Sequence, residues 1–512
     1  MENIKECVNT KEKVGSVNFQ ITLEDDFNVP DVKPDIDRIV TQDAYVEIVE
    51  QNVMNGRIMV NGSVCFRLLY ETSEGVISIQ SIVGKLTMEE MINMDEIQEG
   101  DQPYVYGVIE DVKCNLINSR KISVKTLITL NCDVNRVVEE EMVTDLSEPV
   151  QKKFAKLKCV EVVDEQRDIL RRKEKFKIPV SYPNVRTVLY ERVSVNKVNM
   201  RAENGKILVE GEVLLFALYQ AQQEEDEIVA FKGKQEFESS IDCSNCKENR
   251  FVLCDYEVMS REVQLREDED GEMRCFEVDV VLSVLYSILE NREINYLEDT
   301  YALDGTLDVQ KNKITLKQLK VNDNYQKRWT GTLSMEDNDP AQWELCDCSA
   351  DILIDEVDWT DEGAKVEGSI EVAVLFMNKE KQLRLKSISI PMDYLIEQCR
   401  GCDKKTLHLR GFVDSVDVSG VQNDTLEVNV MTRFSTQAFL SENYEVIQEV
   451  EFGEEEKEND NYSIYVGYRV NEGDDLWSIA KKYHSTMEQI MELNHKTEDT
   501  LKEGEKLLIV TE

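Results

Sequence analysis

The feature that most constrains this chain is an internal repeat of domain size. Three segments end in glycine and lead into an apolar strand pattern: Asn55–Gly62, Asn204–Gly211 and Glu362–Gly368. They lie 149 and then 157 residues apart, which is the length of a domain and far longer than a solenoid repeat. The chain of 512 residues is therefore expected to contain three similar domains and a smaller additional unit.

Apolar residues alternate strictly after each repeat glycine, which is typical of a half-buried strand. The aligned positions are Val64, Phe66, Leu68 and Tyr70, then Val213, Leu215, Ala217 and Tyr219, then Ile370, Val372, Val374 and Phe376. All twelve fall on one face, and an aromatic residue closes each strand. The repeated pattern predicts a β-strand at the centre of each domain.

A second alternating strand follows in each repeat, at Ile122–Leu130, Phe276–Val284 and Leu426–Phe434. Alternating strands separated by Asn-Gly turns predict antiparallel β-sandwich- or barrel-like domains. The fold class is thus mainly β, with three such domains in tandem. Looser periodicity predicts a helix within the repeat at Lys85–Glu99 and at Ile390–Gln398.

Charged stretches predict where the units join. Glu139–Glu148 and Lys311–Asp339 separate the repeats, and the acidic run Glu449–Asp460 precedes the last unit. The expected organisation is an N-terminal arm over 1–25, β domains over 26–148, 149–310 and 311–452, an acidic linker over 453–464 and a small domain over 465–512.

A proline precedes each repeat glycine by 28 residues, at Pro34, Pro183 and Pro340. We expect these prolines to fix an extended entry to a strand and not to bind a ligand, because proline supplies rigidity and no donor.

The stretch Asp26–Val40 resembles the signature of the SPOCS domain, a module of sporulation coat proteins. Pro183–Leu189 retains part of that signature, and the third repeat keeps only Pro340 and Leu345.

The last unit has a different pattern. A short strand at Tyr465–Val470 precedes an amphipathic helix for which Asp474 is the expected N-cap. The buried face of that helix is predicted to contain Leu476, Ile479, Ala480 and Tyr483. A second helix, capped by Ser485 or Thr486, is predicted to bury Met487, Ile490 and Met491. With a final strand at Lys506–Val510, the predicted order is βααβ.

This segment resembles a LysM domain along its whole length, through Gly473–Ala480, Asn494 and Leu501–Leu507. The resemblance implies a shallow groove for N-acetylglucosamine polymers between two loops. By position, the groove would comprise Glu472, Gly473, Asp474, Asp475, Leu476, Asn494, His495, Lys496 and Leu501.

Asp475 stands where the LysM pattern commonly has threonine. The added carboxylate would weaken contact with anionic wall polymers while sparing neutral sugars. Leu476, Trp477 and Ile479 are expected in the core, whereas Asn494 and His495 are the candidates for recognition. A groove of this kind can also dock a protein.

The net charge of -43 argues against nucleic acid and anionic membranes as partners. The longest apolar run, Val213–Tyr219, is far shorter than the about 20 residues that span a bilayer, so no transmembrane segment is expected. Met1–Gly15 lacks the apolar stretch that a secretory signal contains.

The number of cysteines, 13, is odd, which indicates reduced and mostly buried thiols in a cytoplasmic protein.

Catalytic motifs are not evident, and neither a catalytic residue nor a cofactor is predicted. Of the three histidines, only His408 lies outside the last unit, and no nucleophile motif accompanies it.

Two Cys-x-x-Cys pairs occur, Cys243/Cys246 and Cys399/Cys402, and together they would supply four zinc ligands. Free thiols are favoured, because the pairs lie in different repeats and the first repeat has none, but zinc stays open.

The combination of SPOCS-like repeats and a LysM-like domain resembles SipL-type spore-coat morphogenetic proteins. That resemblance implies a non-enzymatic scaffold in the mother-cell cytoplasm, at the forespore surface. Its implied partner is the spore-coat basement ATPase of the stage IV sporulation protein A type. Two alternatives remain open: a protein that binds peptidoglycan or a chitin-like glycan, and a wall hydrolase without a recognisable motif.

Overall fold

The computed structural model describes residues 1–72, 79–222, 227–335, 343–422, 425–453 and 464–511. The first domain contains β1 (Asn3–Asn28), β2 (Arg38–Met54), β3 (Arg57–Glu71), β4 (Ile79–Asn93), β5 (Gln102–Asn118) and β6 (Lys121–Leu146). The second contains β7 (Gln151–Lys177), β8 (Val185–Glu203), β9 (Lys206–Ala221), β10 (Ile228–Asp242), β11 (Phe251–Glu267) and β12 (Met273–Tyr301).

The third domain repeats the series with β13 (Leu307–Ser334), β14 (Trp343–Thr360), β15 (Gly363–Asn378), β16 (Leu383–Ile396), β17 (His408–Gln422) and β18 (Thr425–Phe452). Short 3₁₀ turns at Glu397–Cys399 and Lys404–Thr406 precede β17. The last unit has the order β19 (Ile464–Arg469), α1 (Leu476–Lys482), α2 (Met487–Leu493) and β20 (Lys506–Thr511).

Each large domain is a sandwich of two three-stranded antiparallel sheets. In the first domain β2-β3-β4 faces β1-β6-β5, and the same arrangement recurs as β8-β9-β10 with β7-β12-β11 and as β14-β15-β16 with β13-β18-β17. The twelve alternating residues lie on the central strands β3, β9 and β15, and none is more than 3 % exposed. The predicted fold class, three β-sandwich domains followed by a βααβ unit, is confirmed.

The predicted helices at 85–99 and 390–398 are wrong, because those residues belong mainly to β4 and β16. From Ile82 onward, the buried side chains of β4 occupy even positions, as a strand requires: Ile82, Leu86, Met88 and Ile92. Gly84 and Glu90 occupy the other even positions, and the exposed Met91 places an apolar residue on the opposite face, so the alternation is obscured in the sequence.

The structure differs from the predicted domain organisation at two further places, and both are long charged strands. Residues 1–25, expected as an arm, lie in β1, which pairs with β6 along its length. Much of Lys311–Asp339, which was expected to form a boundary between two domains, lies in β13, and β13 pairs with β18. Both are edge strands with one solvent-facing side, and this explains their many charges. Pro340 and most of the acidic linker fall outside the described residues.

The prolines that precede the repeats are tied to the central strands. The Tyr70 hydroxyl donates to the carbonyl oxygen of Pro34 at 3.0 Å, and Tyr219 donates to Pro183 at the same distance. Arg120 also donates to the Pro30 carbonyl, at 3.1 Å. These contacts hold the segments around Pro34 and Pro183 against the central strands.

Residues from all three large domains meet in shared buried clusters. Leu69, Leu218 and Leu375, each seven positions beyond its repeat glycine, meet in one buried apolar cluster. A second trio at matched positions, Ile79, Ile228 and Leu383, belongs to the same cluster. At another cluster the long outer strands of all three domains meet, with Val8, Leu157 and Ile314 among its buried residues. The repeats therefore form one assembly within the chain.

Candidate functional site

The start of α1 is organised by two neighbouring aspartates. Asp475 is the N-cap, since its carboxylate accepts from the Ser478 amide at 2.8 Å within a capping box. The expected cap, Asp474, instead accepts from the Asn471 amide and the Tyr468 hydroxyl, both at 2.8 Å. Asp475 thus provides the capping oxygen that threonine would supply at this position. Thr486, and not Ser485, caps α2 through Gln489.

The first candidate loop presents a negatively charged surface. Glu472, Gly473 and Asp475 are exposed, whereas Leu476 is only 2 % exposed and belongs to the core. Gly473 has a φ of 87°, a left-handed conformation that favours glycine and turns the chain into the helix. The Asn471 amide and the Tyr468 hydroxyl lower the pKa of Asp474, so this carboxyl is ionised at neutral pH.

The second candidate loop holds its residues in three different ways. Asn494 donates to the carbonyls of Ile490 and Leu508, each at 2.7 Å, and its oxygen accepts from the Leu508 amide. The side chain of Asn494 therefore joins α2 to β20. His495 is exposed, with a φ of 52°. The Lys496 ammonium pairs with Glu505 at 2.7 Å.

Leu501 is half-buried and packs on the same apolar cluster as Leu476, so both loops border one core. Of the nine candidate residues, the exposed side chains are therefore Glu472, Asp475 and His495. The amide of Asn494 and the side chain of Leu476 are occupied by contacts within the fold.

The other face of this unit rests on the second large domain. The Trp477 indole donates to Asp299 at 2.8 Å, and the Lys481 ammonium binds the same carboxylate at 2.6 Å. The Tyr301 hydroxyl donates to the Ser485 carbonyl at 2.7 Å, and the Tyr301 ring packs edge-on against Trp477 with centroids 4.9 Å apart. We call this contact, formed by Asp299 and Tyr301 with Trp477, Lys481 and Ser485, the seat.

Comparison with known families explains this arrangement of domains. A model described as "SipL, SPOCS domain" matches residues 35–117 and 184–266, and a model described as "LysM domain" matches residues 468–510. The chain contains two SipL-type SPOCS domains and a C-terminal LysM domain. No curated protein and no solved structure matches it. The third domain lies outside the matched residues and joins the series through its topology.

The matched domains limit the range of functions. SPOCS and LysM domains are non-catalytic binding domains, and together they indicate a protein related to the sporulation coat. Within the described residues, no helix is long and apolar enough to cross a membrane.

The seat was not predicted from the sequence, because its partners lie far apart in the chain. Trp477 and Asp299 are 178 positions apart in the sequence, and neither lies in a motif that would indicate a contact with the other. Burial opposes ionisation of Asp299, but hydrogen bonds from Lys481 and Trp477 outweigh that effect and lower its pKa. A LysM domain is small enough to gain stability from such a contact.

The Cys-x-x-Cys pairs lie in the turn before the fifth strand of their domains. In the second domain the Cys243 amide and the Cys246 carbonyl bond to Gly205. In the first domain Met94 and Ile97 make the matching bonds to Gly56, so apolar side chains fill the same position. Burial is the main cause that raises the pKa of Cys246, to about 12. Among the described residues, no group of three or more potential metal ligands occurs.

Proposed function

We propose that this protein is a non-enzymatic spore-coat morphogenetic adaptor whose SPOCS domains hold the LysM domain as a docking tip. Its proposed partner is the spore-coat basement ATPase of the stage IV sporulation protein A type, at the forespore surface in the mother-cell cytoplasm. The observation that carries the proposal is the seat: it uses one face of the LysM domain, while Glu472 and His495 stay exposed on the two loops. Asp475 is also exposed, and its carboxylate lies 3.9 Å from the Lys153 ammonium of the second domain.

Charge supports a protein partner over an anionic wall polymer. Asp474 and Asp475 lie beside Glu472 in the first loop, and hydrogen bonds keep the pKa of each aspartate low. The whole chain carries a net charge of -43. Such a surface steers a partner with a basic face toward the loops and repels polyanions.

The LysM match favours a second candidate function, the binding of neutral N-acetylglucosamine polymers from peptidoglycan or a chitin-like glycan. A neutral sugar avoids the electrostatic repulsion described above, and the exposed backbone of Gly473 would let a sugar ring approach closely. The two functions predict different ligands for the same loops.

Binding measurements on the full chain separate these functions. Affinities for the purified ATPase and for N-acetylglucosamine oligomers are compared for the natural chain, His495→Ala and Glu472→Gln. Glu488→Gln on α2 removes an exposed carboxylate outside both loops and serves as the matched control.

The adaptor function predicts that His495→Ala and Glu472→Gln each weaken ATPase binding about tenfold, or about 1.4 kcal/mol, while the control keeps its affinity. Oligomer binding that depends on the same residues, without ATPase binding, would establish the glycan function instead. ATPase binding that is equal in all four chains would refute the role of the loops.

A further inference from the structure

A cavity of about 100 Å³ lies where the three SPOCS-type domains meet. The first domain contributes β1 and β6, the second contributes β7, β11 and β12, and the third contributes β13, β17 and β18. It lies away from the LysM loops and shares no residue with the seat. Its walls exist only when the three repeats are assembled.

Positive charge is concentrated at this cavity, although the protein as a whole is strongly acidic. The basic residues that line it are Lys11, Lys13, Lys317, Lys405 and His408. Three of them have carboxylate partners: Lys11 pairs with Glu165 at 2.5 Å, Lys13 with Asp133 at 2.7 Å and His408 with Asp255 at 2.8 Å.

Lys317 and Lys405 lack such partners. Among the described residues, no carboxylate lies within ion-pair distance of either ammonium, and Lys317 donates to the backbone carbonyl of Lys11. Burial is the main cause that lowers the pKa of Lys317, and the carboxylates of Glu12 and Asp403, beyond ion-pair distance, offset this effect only in part. An anion in the cavity would offset the remaining cost of burial.

Part of the cavity lining is apolar. Val160, Val162 and Leu289 form a buried cluster there, against which Phe439 packs. Such a wall contributes to binding only if the ligand has an apolar surface to cover it. A hydrated inorganic ion alone would leave these side chains without a contact.

We propose that this cavity binds a small organic anion, with a carboxylate or phosphate group at Lys317 and Lys405 and a compact apolar body against Val162 and Leu289. Because all three domains supply its walls, the ligand binds their assembled form and stabilises it by mass action. The site is independent of the proposed LysM function.

Calorimetric titration and thermal unfolding of the full chain test this site with four probes. Benzoate and phenyl phosphate carry both required features and distinguish a carboxylate from a phosphate group. Benzyl alcohol has no charge, and inorganic phosphate has no apolar body. Lys317→Met removes a half-buried ammonium, and Lys405→Met removes an exposed one with little risk to folding. Lys313→Met, on the exposed side of β13, is the matched control.

We expect benzoate or phenyl phosphate to bind and to raise the unfolding temperature, with affinity reduced at least tenfold in Lys317→Met and Lys405→Met and unchanged in Lys313→Met. Equal effects of benzyl alcohol, or equal affinity in all variants, would overturn the proposal. Binding of inorganic phosphate as tightly as phenyl phosphate would overturn the role of the apolar wall.

Discussion

The indole N–H of Trp477 donates to the carboxylate of Asp299 at 2.8 Å, which joins the LysM domain to the second SPOCS domain. Lys481 binds the same carboxylate from the next turn of α1. One side chain of the second SPOCS domain therefore holds two residues of the LysM domain, so its removal should release that domain.

Asp299→Ala should destabilise the LysM domain by about 1–2 kcal/mol, since it leaves the partly buried N–H of Trp477 and the Lys481 ammonium unpaired. Calorimetry of the full chain should show a lower melting temperature for the LysM transition. Asp304→Ala, at an exposed position five residues further on, is the control and should unfold like the natural chain. Identical transitions in both variants would show that the seat contributes nothing.

The stabilisation that the seat contributes to the LysM domain should decrease as the pH falls. Because the pKa of Asp299 is lower in the folded protein than its ordinary value of about 3.9, its stabilising effect is complete above about pH 4 and is lost as pH falls through the folded value. The difference in stability between the natural chain and Asp299→Ala should be full at pH 7 and should decrease as the pH is lowered below about 4. A difference that does not change with pH would contradict ionisation of Asp299 as its source.

Tyr70→Phe should destabilise the first domain by about 1 kcal/mol, because the Pro34 carbonyl loses the hydroxyl that donates to it. Tyr219→Phe should have the same effect in the second domain through Pro183. The third domain already carries Phe376 at the matched position. Urea unfolding measures the change, with Tyr465→Phe at an exposed site as control. Unfolding midpoints equal to that of the control would argue against the proline contact.

Leu218→Ala should lower the free energy of unfolding by about 2–5 kcal/mol, because it opens a cavity where all three domains meet. The same substitution at Leu116, which is 42 % exposed, should change stability by less than about 0.5 kcal/mol. Urea unfolding of the two variants makes the comparison. Similar values for both would show that the cluster around Leu218 does not hold the domains together.

Sequence patterns predicted those parts of the molecule that local periodicity determines. The alternation after Gly62, Gly211 and Gly368 located the central strands, since a buried strand face needs apolar residues at every second position. In β4 the alternation is interrupted, because the charged Glu90 lies on the face of Leu86, Met88 and Ile92 while the apolar Met91 is exposed on the other face. The sequence therefore lacked the regular pattern that would have indicated a strand.

Long-range contacts could not be predicted in this way. The meeting of Leu69, Leu218 and Leu375 depends on how three domains pack, and each residue alone belongs to an ordinary apolar strand. Likewise, Asp299 is one of 102 acidic residues, and only the fold places it beside Trp477. The loops of the LysM domain were located by motif, whereas the hydrogen bonds of Asn494 to β20 required the structure.

Hydrogen exchange on the full chain, alone and saturated with the purified coat-basement ATPase, tests the docking role of the LysM domain most directly. The proposal predicts slower exchange over residues 471–476 and 494–501, with the central strands β3, β9 and β15 unchanged. Protection confined to the SPOCS domains, with both LysM loops exchanging as in the free protein, would contradict it.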